Sequence, residues 1–157
     1  VSPQAKVSAN YASSMTAKAR AQQLGFDEIL LVDEDDHIAE GPTTNVFIVD
    51  AAGILRTPPE KRVLQGVTRQ SVMELASASG LELNETSIEP AELMAANEVF
   101  LTGTTAGVLA IESVDGEKIG EVCPGPLTLQ LGELLRRVES GNDSTFDHWL
   151  TYIGAEG

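Results

Sequence analysis

The chain has little cysteine, few aromatic residues and few positive charges. Because Cys123 is the only cysteine among the 157 residues, an internal disulfide and a cysteine-based metal cluster are both excluded. Only 10 residues are lysine or arginine against 24 aspartate or glutamate, which gives a formal net charge of −14. A surface with that charge repels nucleic acid and anionic lipid, so neither is expected as a partner. A site for an anionic ligand must therefore be local, built from backbone amides and a few cations.

Long apolar runs are also missing. No segment approaches the roughly 20 apolar residues that a membrane-spanning helix needs, and no signal-peptide pattern is present, so the sequence predicts a cytoplasmic protein. The hydrophobic fraction of 42% and the length fit a single domain over residues 1–157. The segment from Val1 to Tyr11 reads like the interior of a domain, and we expect the chain to be a piece of a longer protein or a cleavage product.

Short strands and helices alternate along the predicted structure. Alanine- or leucine-rich segments with helical spacing predict helices over 13–24, 68–79, 90–96 and 126–138. Apolar or alternating segments predict strands over 29–32, 38–40, 46–49, 54–56, 81–83, 98–102 and 108–114. The apolar residues of the tail are expected to dock as a clamp: Trp149, Leu150, Tyr152 and Ile153. This mixture is typical of an α/β or α+β domain.

Two segments far apart in the sequence have the features of a phosphate-binding turn. Residues 64–69 (LQGVTR) lead into the second predicted helix, and residues 102–107 (TGTTAG) follow an apolar run. A helix start offers free N–H groups and a positive dipole end, glycine permits close approach, and threonine adds a hydroxyl donor. The alternatives are a simple N-cap at Thr68 and a threonine-rich turn at 104–105. Arg69 is interpreted as an outward or structural charge.

Three further side chains suit a pyridoxal-phosphate site. A neutral amine at Lys6 could form a Schiff base with the cofactor aldehyde. The carboxylate of Glu40, which precedes Gly41 in a Gly/Pro loop, could keep a pyridine nitrogen protonated, and the hydroxyl of Tyr11 could bind the phenolate oxygen. Taken singly, these are ordinary surface or core residues. With the two turns, they suggest that the chain binds pyridoxal 5'-phosphate.

In their order, these motifs resemble the large C-terminal domain of the class IV (fold-type IV) pyridoxal-phosphate aminotransferases. That group includes branched-chain and D-amino-acid aminotransferases, (R)-selective amine transaminases and aminodeoxychorismate lyase. The matching segments cover nearly the whole chain: Lys6 with 10–11, 38–41 with 45–47, 57–59, 63–69, 97–104, 114–116 and 124–126. The resemblance implies an α/β (α+β) fold, a mixed-sheet pseudo-barrel with flanking helices. It also implies that the family's smaller N-terminal domain is absent from this chain.

The resemblance assigns a role to each candidate residue. Lys6 is expected to be the catalytic Schiff-base lysine and proton shuttle, Glu40 the partner of the pyridine nitrogen, and Tyr11 a contact of the phenolic oxygen. Leu64 is expected to pack on the ring face. The residues expected to bind the phosphate are Gly66, Val67, Thr68 and Thr104, and those expected to receive the substrate carboxylate are Thr105 and Ala106. No metal ligand is expected.

The implied activity is transamination. An amino group would pass from a branched-chain-like amino acid, or an amine, to the cofactor and then to a 2-oxo acid. Residues 104–111 differ from the usual branched-chain pattern and lean toward the amine transaminases, whereas Tyr11 and 40–41 fit the branched-chain enzymes. An aminodeoxychorismate lyase of the same fold, and a catalytically incomplete fragment or assembly module, are the alternatives. The resemblance further implies a homodimer with its sites near the subunit interface.

Overall fold

The computed structural model describes residues 8–154, with the side chains described from residue 11 onward. Its helices are α1 (Ser8–Gln23), α2 (Val67–Ala78), α3 (Pro90–Met94) and α4 (Pro126–Glu139). Its strands are β1 (Asn45–Val49), β2 (Leu55–Thr57), β3 (Leu83–Glu85), β4 (Glu98–Gly103), β5 (Gly107–Ala110), β6 (Ser113–Val114) and β7 (Glu117–Lys118). Among the described residues, no helix combines the length and the apolar character that crossing a bilayer requires.

The main sheet is mixed and has five strands in the order β3-β2-β1-β4-β5. Neighbouring strands are antiparallel except β2 and β3, which run parallel. The remaining two strands, β6 and β7, form a separate antiparallel hairpin. The expected α/β class, with helices beside a mixed sheet, is therefore confirmed.

The core is divided between the two faces of this sheet. On one face, Phe47 and Phe100 stack with ring centroids 5.1 Å apart and pack against buried residues of α2 and α4, including Leu75 and Leu131. On the other face, the alternate residues of β1 and β4 pack with Ile38, Ile88 and Leu93. Because both faces are covered, β1 is buried at every position and reads as a continuous apolar run.

Helix α4 begins above a buried acidic side chain. Glu98, at the start of β4, accepts hydrogen bonds from the amides of Leu127 at 3.0 Å and Thr128 at 2.8 Å. Pro126 stands in the first turn, where its missing N–H costs nothing. The sheet therefore fixes where this helix starts.

The predicted helices are found, but several strand predictions are wrong. Residues 29–32 and 38–40 form only isolated bridges, because the Ile38 amide donates to Ile88 and does not extend a ladder between the two segments. The predicted strand 81–83 starts later, because the Leu81 amide still closes α2 on Ala76. The predicted strand 108–114 is split into β5 and β6, which pair with different partners.

The clamp prediction for the tail is correct only in part. Trp149 is half-buried and packs against the core together with Phe146. Tyr152 and Ile153 are instead 69% and 95% exposed. The short 3₁₀ helix Ser144–Trp149 therefore carries the apolar contact, and the residues that follow it lie on the surface.

Candidate functional site

A cavity of about 810 Å³ lies beside the ends of the two central strands. Its walls come from α1, the loop before β1, the start of α2 and the turn after β4. Every described residue that the sequence singled out for the cofactor or substrate lines it: Tyr11, Glu40, Leu64, Gly66, Val67, Thr68, Thr104, Thr105 and Ala106. The expected catalytic residue, Lys6, lies outside the described residues.

The register of the sheet explains why these distant segments meet. Asn45, the first residue of β1, pairs with Thr102 near the end of β4, so the loop before one strand and the turn after the other share one edge. The two loops also touch, because a Cβ on Gly103 would lie 3.2 Å from the carbonyl oxygen of Thr43. A larger residue at Gly103 would push the two walls apart.

Glu40 enters the cavity with one of its carboxylate oxygens fixed by the protein. Its Oε2 accepts hydrogen bonds from the Leu64 amide at 3.0 Å and from Asn45 Nδ2 at 3.2 Å. Within residues 8–154, no hydrogen bond reaches Oε1. Burial raises the pKa of the Glu40 carboxyl, and the Leu64 amide and the charge of Arg69 offset part of that rise. The half-buried carboxylate thus has one oriented oxygen and one open to a cationic donor.

The first turn of α2 is open toward a ligand. Its N-cap residue is Gly66, and no side chain of the described chain caps the turn. The interpretation of Thr68 as an N-cap is therefore wrong. The side chain of Val67 is 76% exposed, which leaves the amides beside it accessible at the positive end of the helix dipole.

Arg69 is not outward but buried, at 2% exposure. Its Nη2 donates to the Pro58 carbonyl at 2.9 Å and to Glu85 Oε1 at 2.6 Å. Its guanidinium ties α2 to β3 and to the Pro58 loop. Of its two sequence-based interpretations, the structural one is correct.

The opposite wall is the turn Thr104–Ala106 between β4 and β5. Thr104 and Thr105 are exposed to the cavity side of the molecule, and Ala106 is half-buried. Beneath them Thr102 is 1% exposed, and its hydroxyl has no hydrogen-bond partner in the described part of the chain. A buried hydroxyl without a partner, an uncapped helix start and a half-paired carboxylate together fit an elongated ligand with an anionic end and a protonated ring nitrogen.

Sequence reasoning missed two contributors to the cavity. Lys18 pairs with Glu28 at 2.7 Å, and both line the wall. The spacing of Tyr11, Ser14 and Lys18 places them on one face of a helix, which is a signal that could have been found. The other contributor is Asn45, whose position directly before an apolar strand gave no hint of its contacts.

The chain belongs to the amino-transferase class IV family, whose model matches residues 1–114. It is 36% identical over 149 residues to a probable branched-chain-amino-acid aminotransferase of Aquifex aeolicus, covering 94% of this chain and 48% of that protein. The branched-chain-amino-acid aminotransferase of Pseudomonas aeruginosa is also 36% identical, with 95% and 48% covered. The chain thus spans about half the length of the curated relatives it matches.

Solved structures agree with this assignment. The branched-chain amino acid aminotransferase from Thermobaculum terrenum in its PLP form superposes with a TM-score of 0.93 at 36% identity, covering 98% of this chain and 50% of that one. A branched-chain amino acid aminotransferase from the organism abbreviated T.th., with pyridoxamine 5'-phosphate, gives a TM-score of 0.92 at 36% identity, with 97% and 50% covered. The fold is therefore that of the branched-chain aminotransferase structures.

Proposed function

We propose that this chain is the cofactor-binding part of a pyridoxal-phosphate-dependent transaminase that moves an amino group between a branched-chain-like amino acid and a 2-oxo acid. One observation carries the proposal: a single cavity is lined by every described residue that the sequence assigned to cofactor or substrate. The solved relatives in PLP form and with pyridoxamine 5'-phosphate support it. When bound, the cofactor supplies the aldehyde and the electron sink for the reaction.

The residues of the chain divide the binding between the two ends of the cavity. The first-turn amides of α2, with the hydroxyl of Thr104, would bind the phosphate. Oε1 of Glu40 would accept the proton-bearing ring nitrogen, and the side chain of Leu64 would cover one ring face. Tyr11, on α1, would donate to the phenolic oxygen. This division accounts for the uncapped helix and the half-paired carboxylate.

The amine that reacts with the cofactor is proposed to be Lys6, which would also carry the proton between substrate carbons. The backbone amides of Thr105 and Ala106 would receive the substrate carboxylate, because the turn that contains them forms the wall opposite Glu40's loop. An anionic substrate group can bind such amides although the chain carries a net charge of −14.

The decisive experiment uses the complete protein loaded with pyridoxal phosphate. We expect an absorbance band of the covalently bound cofactor, its bleaching by a branched-chain amino acid, and its recovery on adding a 2-oxo acid. The variant Lys6→Ala should lose the band, and Lys61→Ala, an exposed lysine on the surface, should keep it. Failure of the wild-type protein to bind the cofactor would refute the proposal. Release of pyruvate from aminodeoxychorismate without use of a 2-oxo acid would assign the protein to the lyases.

The assembly and location of the protein are proposed on the same basis. We propose a homodimer in the cytoplasm, in which an N-terminal domain outside this chain completes the substrate pocket. The exposed apolar side chains of Val67 and Leu109, 76% and 47% exposed near the cavity, are the places where such a domain or subunit could pack. Light scattering of the complete protein should give twice the monomer mass, and a monomer would contradict the homodimer.

A further inference from the structure

The side chain of Asn45 joins the two ends of the cavity. Its Nδ2 donates to Oε2 of Glu40 at 3.2 Å and to the carbonyl oxygen of Leu64 at 2.8 Å. Glu40 in turn accepts from the Leu64 amide at 3.0 Å. The three residues thus form a closed set of hydrogen bonds between the loop before β1 and the segment before α2. An amide nitrogen has two hydrogens, so both donors of Asn45 are used.

Asn45 is held firmly enough to position its neighbours. It is 5% exposed and belongs to β1, a central strand of the sheet, where it pairs with Thr102 of β4. A buried side chain on a central strand has few rotamers available, because both the strand and the packing around it are fixed. The loops on either side of Asn45 have no such support of their own.

The other end of the Asn45 side chain sets the approach of α2. A Cβ built on Gly66 would lie only 2.3 Å from Asn45 Oδ1, so the N-cap of α2 rests directly against this oxygen. The same side chain therefore contacts the carboxylate loop with its nitrogen and the helix start with its oxygen.

We propose that Asn45 is a positioning residue that fixes the Glu40 carboxylate and the start of α2 as one unit, so that ring nitrogen and phosphate are gripped at a set separation. The inference rests on the proposed function for the nature of the ligand. Its structural half, the coupling of Leu64 and Glu40 through Asn45, stands apart from it. Asn45 itself touches no reacting atom in this arrangement; it acts through Glu40 and through the backbone of Leu64.

Replacement of the amide by an isosteric carboxylate tests the proposal. Asn45→Asp keeps the shape but removes both donors and places an acceptor against Glu40 and the Leu64 carbonyl. In the complete protein without cofactor, we expect amide hydrogen exchange in peptides spanning 64–68 to accelerate about tenfold, the loss of roughly one hydrogen bond. With cofactor, the pyridoxal phosphate concentration at half-saturation should rise about tenfold or more, and uptake should require a higher pH.

Asn97→Asp is the matched control. The Nδ2 of Asn97 donates to the backbone carbonyl of Asp50 at 2.9 Å, and this residue is exposed and outside the cavity. The control should leave both exchange in 64–68 and cofactor uptake unchanged. If Asn45→Asp folds poorly, Asn45→Ser, which retains a small donor, gives the same comparison with a weaker expected effect.

Each result decides the proposal. Unchanged exchange over 64–68 in Asn45→Asp overturns it, whatever happens to cofactor uptake. Faster exchange with unchanged uptake overturns the positioning role and leaves only a structural one. Faster exchange with weakened, pH-shifted uptake supports it. If the wild-type protein takes up no pyridoxal phosphate, the proposed function fails, and exchange over 64–68 still decides whether Asn45 couples the two segments.

Discussion

Thr128 donates to the buried carboxylate of Glu98 twice, through its amide at 2.8 Å and through its hydroxyl at 2.7 Å. This places an acidic side chain of the sheet at the positive end of α4. We expect Glu98→Gln to lower the free energy of unfolding by about 1–3 kcal/mol, because one acceptor is lost and an amide group faces buried N–H donors. Urea denaturation measures this. Glu133→Gln, exposed on the same helix, should change stability by less than about 0.5 kcal/mol.

A methyl group at Gly66 should destabilise the protein. The Cβ of Gly66→Ala would overlap Asn45 Oδ1 at 2.3 Å, so the strand residue or the start of α2 must shift, at about 1–3 kcal/mol. The same change at Gly132, inside α4, meets only ordinary contacts with Val108 and should stabilise by about 0.5–1 kcal/mol. Opposite shifts of the unfolding midpoint are expected, and equal shifts would contradict the close contact.

The ion pair of Arg69 and Glu85 should be asymmetric in its energetics. The Arg69 side chain is 3% exposed and that of Glu85 is 37% exposed. Glu85→Ala leaves the guanidinium buried without its carboxylate, so we expect a loss of about 2–4 kcal/mol although the altered residue lies at the surface. Glu82→Ala, an exposed glutamate just before the same strand, serves as the comparison in chemical denaturation and should be nearly neutral.

The charge of Glu40 should oppose folding in the absence of cofactor. Burial raises its folded-state pKa above the ordinary value. A raised pKa means that the stability associated with Glu40 is fully present below the unfolded-state pKa and is lost as pH rises through the folded-state pKa. Glu40→Gln cannot lose it, so the variant should gain stability over the wild type between about pH 4 and pH 7.

Thermal unfolding of the cofactor-free proteins across this pH range checks the expectation. Glu139→Gln, at the exposed end of α4, should follow the wild type throughout. A wild-type protein that is more stable than Glu40→Gln at pH 7 would show that the hydrogen bonds from Leu64 and Asn45 outweigh desolvation. With pyridoxal phosphate present, the order should reverse, because the variant lacks the charge for the ring nitrogen.

Glycine, proline and apolar spacing were enough to predict the helices and the central strands. Gly80, with φ of 72°, and Pro126 mark helix boundaries by local backbone chemistry that any sequence reading can use. The segment 29–32 was predicted wrongly, because whether an apolar tetrapeptide forms a ladder depends on a neighbour, and here the amide of Ile38 is taken by Ile88.

The candidate site divides along the same line. Residues whose role depends on their own backbone or functional group, such as Gly66 and Glu40, could be predicted from the sequence. The bridging contacts of Asn45 and the burial of Arg69 could not, because they depend on segments 19 and 16 residues away in the chain. The hydroxyl of Thr102 is in the same position, since only the sheet register places it beneath the cavity.

The tight turn between β1 and β2 lies at the other end of β1 from Asn45. There Asp50 accepts the amides of Ala52 and Ile54, and Gly53 has a φ of 81° at an exposed tip. Four residue steps along the strand correspond to about 13 Å. An affinity tag or a fluorophore inserted at 51–53 would therefore report on the molecule, or tether it to a surface, while both loops that face the ligand keep their shape.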